Sequence, residues 1–236
     1  MTTIAANPRV RFAPRTLARI AGVCYLLLIG AAFNEGYVIP HIVSADNPSA
    51  TADNIRASAG LFRAGVFGDL LAGTFWVVLA MSLYLLLRHV HQLVAGAMVV
   101  LAAVGGGIQV LNQLNQYTAL TIATSDTYTH AFGRSGANGL ALLFAGMQQN
   151  GQIVDSIFFG LWLMPLGYLV MKSSYFPRIV GVMLIVGACC YFADSFAVLG
   201  NVPFGGLFIV PAGICELTFL VTLLAKGGRL PATVMP

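Results

Sequence analysis

The sequence predicts an all-α, polytopic membrane protein, a bundle of six transmembrane helices with short interfacial helices on its outer side. Of its 236 residues, 58% are hydrophobic and only 8% are charged, and its mean hydropathy is +0.84. Soluble domains carry about 25% charged residues, so the composition excludes a soluble protein. Six apolar runs have the length, about 20 residues, that crosses a bilayer as a helix. The two-residue alternation of a membrane β-barrel is absent, which argues against that architecture.

The six predicted spans divide the chain into one membrane domain with short ends. They lie at residues 17–39, 64–87, 93–122, 152–171, 178–199 and 205–225. The first follows a basic segment, residues 1–16, and no small-residue cleavage site follows it, so we interpret it as a retained helix rather than a signal peptide. A single domain is therefore expected over residues 17–227, followed by a cytoplasmic tail at 228–236.

The basic residues predict the orientation. Arg88, Lys172, Arg178, Lys226, Arg229 and the N-terminal arginines fall on one side of the predicted spans, and Arg56, Arg63 and Arg134 fall on the other. Because cytoplasmic loops carry the excess of Lys and Arg, this asymmetry predicts an inner-membrane protein with both termini in the cytoplasm.

Two outer connections have helical patterns of their own. Residues 49–62 begin with capping side chains, and Thr51 or Asp53 is expected to cap a short surface helix that leads into the second span at Arg63. Residues 139–147 form an apolar run too short to span a bilayer, which predicts an interfacial or re-entrant helix. A disordered loop is the alternative for this second segment.

A stripe of amide side chains runs along the third predicted span. Gln109, Asn112, Gln113 and Gln116 fall at i, i+3, i+4 and i+7, which places them on one helical face. Facing lipid, each would leave hydrogen-bonding groups unsatisfied at a cost of roughly a few kcal/mol. The stripe must therefore face other helices or water, and both helix adhesion and pocket lining stay open. The preceding glycines, residues 105–107, indicate close helix packing or a kink.

Carboxyl groups from several spans reach a similar depth. A rise of about 1.5 Å per residue places four of these carboxyl groups roughly 24 to 28 Å from the cytoplasmic ends of their helices. These are Glu35, Asp69, Asp155 and Asp194. Glu216 lies only about 15 Å above Lys226, near the bilayer middle. Because a carboxylate exposed to lipid costs at least about 2.5 kcal/mol, these groups are expected to converge inward.

The acidic residues differ in how readily a structural role explains them. Glu35, Asp69 and Asp155 are near helix ends and could simply reach the headgroups. Asp194 and Glu216 are flanked by apolar residues on both sides, which favours a function or a required buried network. The nearby cation Arg63 is the expected partner of Asp69.

The remaining side chains name neither a cofactor nor a metal, and a zinc site that uses His41 or His130 with carboxylates stays open without support from a motif. No histidine lies within a predicted span, which argues against a haem held by paired imidazoles. The four cysteines lie in apolar runs and fit plain packing. The net charge of +4 is assigned to helix ends that meet anionic lipid, and no nucleic-acid binding is expected.

Four long motifs occur in order along the chain. They are LFRAGVFGDLL (61–71), FFGLWLMPLGYLV (158–170), YFPRIVGVMLIVGACCYFADSF (175–196) and ELTFLVTLLAKG (216–227), and ARIAGVCYLLLIGAAFNE (18–35) precedes them. Together these motifs resemble a widespread bacterial membrane family designated DUF4386, a domain of unknown function. The resemblance covers residues 18–227 and implies a bundle of six or seven helices without an established reaction.

The resemblance also carries over site residues. Those on its motifs are Glu35, Arg63, Asp69, Asp194, Ser195 and Glu216. Family members often have one histidine just before the fourth helix and another within it. This chain has Gln149, Asn150 and Trp162 around those places, so the resemblance does not support a histidine metal ligand there.

The leading hypothesis is a non-enzymatic membrane protein with a polar, acidic pocket that opens outward. It would bind, sense or translocate a small polar or cationic solute, with proton movement on Asp194 and Glu216 as an added step. The alternatives are an intramembrane enzyme acting on a lipid or isoprenoid-like substrate and a structural subunit of a membrane complex. Whether the protein forms a homo-oligomer is left open by the sequence. The expected ligand-binding residues are Glu35, Arg63, Asp69, Gln109, Asn112, Gln113, Gln116, Asp155, Asp194 and Glu216.

Overall fold

The computed structural model describes residues 13–227, and within this range every regular element is helical. In chain order these are α1 (Pro14–Phe33), a π-helical turn (Asn34–Val38), α2 (Ile39–Ile42), α3 (Pro48–Ala57), α4 (Ala59–Leu87), α5 (Gln92–Thr124), α6 (Asp126–Lys172), α7 (Arg178–Leu199) and α8 (Ile209–Gly227). The predicted all-α class is confirmed. Most of the basic N-terminal segment and the whole tail at 228–236 lie outside the described residues.

Five helical segments of the described chain are long and apolar enough to cross a membrane. They are Pro14–Ile42, which joins α1, the π-helical turn and α2, together with α4, α5, α6 and α7. The chain is therefore a helical membrane protein. α8 is apolar but shorter, and it packs against α1 and α7 in the same bundle. A sixth crossing by α8 stays a prediction.

The long helices form a closed ring around a central space. Neighbours pack in the order α1, α4, α5, α6, α7 and α8, and α8 returns to α1. One end of the ring carries α2, α3 and the α7–α8 connection, and we call it the α3 end. The opposite end carries Arg88, Lys172 and Arg178 at the termini of α4, α6 and α7.

Glycines allow two pairs of neighbouring helices to approach closely. A Cβ atom on Gly106 would lie 2.7 Å from the carbonyl oxygen of Gly73, so α5 and α4 meet backbone to backbone at this level. A Cβ atom on Gly181 would lie 2.6 Å from the carbonyl oxygen of Gly167, which brings α7 equally close to α6. Gly106 therefore serves close helix packing, which small residues permit between membrane helices, and Gly105 makes room for the ring of Trp76, whereas no atom from elsewhere in the described chain approaches Gly107.

The connection before the fourth span is not a separate interfacial or re-entrant helix, and it is not a loop. α6 covers 47 residues as two helical segments that meet at a kink at Gly133 (φ 69°), and the longer second segment contains the span. Residues 139–147 are helical, as predicted, so the disordered-loop alternative is wrong. They continue directly into the span and do not form a helix of their own. Ala137, Ala141 and Ala145 form a buried stripe against apolar residues of α5 and its neighbours. These contacts hold the helix together beyond the length that a bilayer needs.

The predicted surface helix before the second span is present as α3, but its start differs from the prediction. Asn47 caps it, because its side chain accepts a hydrogen bond from the Ala50 N–H at 2.9 Å. Thr51 instead exchanges two 2.9 Å hydrogen bonds with the backbone of Ser44. α4 begins at Ala59, four residues before the predicted entry at Arg63.

Candidate functional site

The first residue of the π-helical turn, Asn34, is completely buried and connects three helical segments. Its Nδ2 donates to Asp69 Oδ2 at 2.7 Å and to Gln116 Oε1 at 2.9 Å. Gln116 Nε2 donates back to Asn34 Oδ1 and to the carbonyl oxygen of Phe62, both at 3.2 Å. The turn is wider than an α-helical one because the N–H of Ile39 bonds to the carbonyl of Asn34. Such turns are frequent at functional sites.

The amide stripe of α5 is buried and faces the interior of the ring. Gln113 Nε2 donates to Asp69 Oδ2 at 2.8 Å, and Asn112 Nδ2 donates to the carbonyl oxygen of Gln148 at 2.8 Å. Gln109 lies beside Asp69 and lines the cavity described below. Three of the four amides, counting Gln116, therefore bond directly to neighbouring helices, while the buried Gln109 lies against Asp69 of α4 and also lines the cavity.

Two further acidic residues lie at this level. Glu35 is half-buried, and its Oε1 accepts a 2.6 Å hydrogen bond from Gln148 Nε2 on α6. Asp155 is completely buried and lies within electrostatic range of Asp69 and Glu35. In the described part of the chain, no group donates to either oxygen of Asp155. A buried polar group without a partner costs roughly 2 kcal/mol or more, and a charged one costs more.

The unpaired atoms of this layer are mostly acceptors. Within residues 13–227, buried side-chain oxygens without a hydrogen-bond partner include Asp69 Oδ1, Gln109 Oε1, Gln113 Oε1, Gln148 Oε1 and both oxygens of Asp155. We call the six side chains Glu35, Asp69, Gln109, Gln113, Gln148 and Asp155 the acceptor layer. A layer with more acceptors than donors suits a ligand that donates hydrogen bonds or carries positive charge.

Deeper in the ring, Glu216 is held by two tyrosines. The hydroxyl of Tyr25 donates to Glu216 Oε2 at 2.7 Å, and the hydroxyl of Tyr191 donates to Glu216 Oε1 at 2.6 Å. All three residues are buried. The short distances are typical of hydroxyl groups that bond to a carboxylate. This arrangement fixes the Glu216 carboxyl while leaving its charge without a cationic partner among the described residues.

A cavity of about 370 Å³, which we call the central cavity, connects Glu216 with the acceptor layer and is open on one side, where Leu217 and Ile209 of α8 are partly exposed. Its polar lining consists of Tyr25, Glu35, Gln109, Gln152, Ser156, Tyr191 and Glu216. Leucines of α1 and α8 and the ring of Phe159 form much of the remaining wall. Cavities that hold small ligands have volumes of roughly 300 Å³ and above. The size and the mixed lining therefore fit a small ligand with both apolar and polar parts.

Aromatic residues lie on the side of the central cavity away from the α3 end. The ring of Tyr25 packs against Trp162 at 6.4 Å and against Phe219 at 6.0 Å between centroids. Trp162 in turn meets Trp76 edge-on at 5.8 Å. These side chains are buried, and such pairs add rigidity beyond their buried area. The cavity is thus backed by a packed aromatic wall.

A second space, the vestibule, lies between the central cavity and the α3 end. Its volume is about 220 Å³, and Glu35, Gln152, Ser156 and Ile209 line both spaces. Asp194 and Ser195 line the vestibule only. The vestibule therefore offers a polar route from the α3 end to the central cavity.

Asp194 has a structural task that its apolar surroundings did not reveal. Its Oδ1 accepts hydrogen bonds from the backbone N–H groups of Gly206 at 2.9 Å and Phe208 at 3.0 Å. These groups precede the first turn of α8, where a negative charge is favourable. Gly206 has a φ of 90°, which favours glycine at this turn. Asp194 thus fixes the α7–α8 connection and also borders the vestibule.

Replacing Asp194 by alanine is expected to release the α7–α8 connection. Two backbone N–H groups would lose their acceptor, at about 1 kcal/mol each. Limited proteolysis should then cut residues 200–208 faster than in the wild type. Asparagine at this position keeps Oδ1 and serves as the control. Equal cleavage rates for the alanine variant and the wild type would contradict this role.

Arg63 does not pair with Asp69, contrary to the expectation. Six residues along a helix correspond to a turn of about 240° beyond a full rotation, so the two side chains point to different faces. Asp69 faces the ring interior, whereas Arg63 is exposed on the outer surface of α4. Arg63 therefore lies apart from the central cavity, and it lines a different groove.

The structure adds site residues that the sequence did not single out. Asn34, Tyr25, Tyr191, Gln148 and Gln152 all contact the acceptor layer, Glu216 or the cavity. Asn34 could have been identified from the sequence, because it directly precedes Glu35 and Gly36 within an apolar helix. No sequence signal pointed to Tyr25 and Tyr191, because an apolar pattern does not distinguish a tyrosine that packs from one that donates a hydrogen bond.

Comparisons with known proteins identify a family but no characterised relative. Residues 20–227 match the family described as "Domain of unknown function (DUF4386)". No curated protein and no solved structure matches the chain. The match covers most of the chain and includes every residue of the acceptor layer.

Proposed function

For this chain, which belongs to the DUF4386 family, we propose that the central cavity binds a small organic cation with an apolar side. The observation that carries the proposal is the cavity of about 370 Å³ that both Glu35 and Glu216 line. No Lys, Arg or His is among the described residues that line it. Carboxyl groups without nearby cations create a negative potential inside a low-dielectric site, which attracts positive ligands.

The cavity wall supports a cation over a neutral polar solute. Tyr25, Tyr191 and Phe159 contribute three aromatic rings to the cavity wall, and the two tyrosines bond to the Glu216 carboxyl. Tyr191 and Phe159 lie 5.7 Å apart between ring centroids. Aromatic faces attract a cation by about 2 kcal/mol or more when water is excluded, and quaternary ammonium groups are often bound this way. Leu217 and Leu220 supply the apolar surface for the rest of such a ligand.

The acceptor layer supports the same class of ligand. A cation in the central cavity would lie close to Glu35 and Gln109 and in the field of the unpaired carboxyl of Asp155. It would thereby compensate acidic groups that no described cation reaches. Compensation of buried charge is strongly favourable, because leaving such a charge alone costs several kcal/mol.

We further propose that the α3 end faces the outside of the inner membrane. The excess of Lys and Arg at the opposite end supports this orientation, in which both termini are cytoplasmic. The vestibule would then open outward and admit the solute past Asp194. In this proposal, binding and release of protons by Asp194 and Glu216 would couple solute translocation to a proton gradient.

Choline and its uncharged isostere dimethylbutanol test the proposal. With purified protein in lipid nanodiscs, choline is expected to raise the melting temperature in a concentration-dependent way, since a ligand that binds the folded state stabilises it. Dimethylbutanol should have a much smaller effect. The Glu216→Gln variant keeps one acceptor for a tyrosine but loses the charge, and its affinity for choline should fall about tenfold, or about 1.4 kcal/mol.

The control for this experiment is Asp126→Asn, which removes an exposed carboxylate at the start of α6. It should bind choline like the wild type. Equal binding of choline and dimethylbutanol, or unchanged affinity in Glu216→Gln, would overturn the proposal. Uptake of labelled choline into proteoliposomes, with and without a pH gradient, then separates a carrier from a sensor.

A further inference from the structure

A groove on the outer surface of α4 and α5 lies apart from the central cavity, and no lining residue is common to both. Its volume is about 360 Å³. Arg63 and Tyr117 line it together with apolar side chains such as Phe67, Leu70 and Leu114. We propose that this α4–α5 groove binds an anionic phospholipid of the surrounding leaflet, with the lipid phosphate on Arg63 and an acyl chain along the apolar wall.

The depth of Arg63 matches that of lipid phosphates. Arg88 follows the last residue of α4, and Arg63 lies 25 positions before it. At about 1.5 Å per residue the two arginines are separated by about 37 Å along the helix. A bilayer measures about 30 Å across its hydrocarbon core and about 40 to 45 Å with its headgroups. Arg88 and Arg63 therefore reach opposite headgroup regions, and the apolar groove below Arg63 lies beside the acyl chains.

The charge of Arg63 is available to a lipid. Within residues 13–227, the two ion pairs are Arg56 with Asp53 and Arg134 with Asp53. Arg63 belongs to neither and is exposed. A guanidinium group binds a phosphate through two parallel hydrogen bonds, and it does so more specifically than a lysine. Tyr117 is 54% exposed beside the groove, and tyrosine is enriched at this membrane depth.

The shape of the groove also favours a lipid over a partner helix. Phe67 and Leu114 are 60% and 63% exposed, so an acyl chain can cover them without ordering a large interface. A helix from a second copy would cover Arg63 as well, and it would have to bring an acidic group to compensate the buried charge. The lipid supplies that negative charge itself.

The groove is connected to the acceptor layer through one residue. Gln113 is 2% exposed and lines the groove, while its Nε2 donates to Asp69 Oδ2 at 2.8 Å. Its Oε1 is buried and has no partner within the described residues. A lipid in the groove would therefore contact a side chain that also positions Asp69.

Native mass spectrometry of the full chain tests the proposal with phosphatidylglycerol and phosphatidylcholine of identical acyl chains. The wild type is expected to retain more phosphatidylglycerol than phosphatidylcholine. Arg63→Gln should lower the retained phosphatidylglycerol about fivefold and remove the preference, because the guanidinium–phosphate contact is lost. Arg134→Gln, which removes an exposed arginine outside the groove, should behave like the wild type.

A second variant, Leu114→Trp, fills the groove without touching Arg63. It should reduce retention of both lipids, and circular dichroism checks that it folds. Three results would overturn the proposal: equal retention of the two lipids by the wild type, unchanged retention in Arg63→Gln, or an equal loss in Arg134→Gln. A dimer that Leu114→Trp dissociates would identify a second copy of the chain as the occupant instead.

Discussion

Replacing Asp155 by asparagine is expected to make the protein more stable, by about 2 kcal/mol in the free energy of unfolding. Asp155 is completely buried, and neither of its oxygens has a hydrogen-bond donor within the described residues. It also lies in the field of Asp69 and Glu35, which carry the same charge when ionised. Asparagine has nearly the same shape, removes the charge and brings two N–H donors into a layer whose unpaired atoms are mostly oxygens. The loss of the buried charge and the gain of hydrogen-bond donors each lower the energy of the folded state, and the unchanged shape leaves the packing intact.

The same substitution is expected to weaken choline binding about tenfold, because a negative charge near the cavity is lost. Stability and function are thus predicted to move in opposite directions, as happens where a site is strained for the sake of its ligand. Unfolding in mixed micelles with increasing dodecyl sulfate measures the first effect, and the choline-dependent melting temperature measures the second. Asp53→Asn, an exposed carboxylate on α3, is the matched control. A destabilised Asp155→Asn variant would show that Asp155 is part of a required structural network instead.

The sequence predicts the helical membrane class and most helix positions because both depend on local patterns. Apolar length locates the spans, and the i, i+3, i+4, i+7 spacing locates the buried amides of α5. The same reasoning missed that the helix of the fourth span extends outward as far as the kink at Gly133. Its outer half is held by contacts with α3 and α5, and a window of local hydropathy contains no information about distant neighbours.

The site was predictable in its residue types but not in its pairings. Depth counting predicted that carboxyl groups from different helices lie at one level, and in the structure Asp69 lies within electrostatic range of Glu35 and Asp155. It could not show that Asp69 bonds to Asn34 rather than to Arg63, because helix rotation and the π-helical turn decide which faces meet. Glu216 illustrates the same limit, since its partners Tyr25 and Tyr191 are 191 and 25 residues away in the chain.

Replacing Gly65 by alanine is expected to destabilise the protein by about 3 kcal/mol, because the new methyl group displaces Asn34. A Cβ atom on Gly65 would overlap Asn34 Oδ1, and it would lie 2.8 Å from Asn34 Cγ and 3.1 Å from Gln116 Nε2. Asn34 would have to leave its position and lose its hydrogen bonds to Asp69 and Gln116. Three buried hydrogen bonds at about 1 kcal/mol each account for the expected loss.

Gly60→Ala on the same helix is the matched control. Among the described residues, no atom outside its own helical turn lies within 4 Å of a Cβ at Gly60, so alanine should stabilise the helix there by up to about 1 kcal/mol. The two substitutions share their chemistry and their helix, but Gly60 is exposed in the first turn of α4, whereas Gly65 is buried against Asn34. Unfolding in mixed micelles is therefore expected to give opposite signs for them.

A double-mutant cycle tests whether displacement of Asn34 causes the destabilisation by Gly65→Ala. Asn34→Ala alone removes the same hydrogen bonds, so adding Gly65→Ala to it should cost little more, because the methyl group then enters the space that the amide has left. Residues that share an interaction give such non-additive energies, whereas independent residues give additive ones. If the two losses add, Gly65 acts on the α4 backbone rather than on the amide. In that case the hydrogen bonds between Asn34 and Asp69 would not be what joins the π-helical turn to α4.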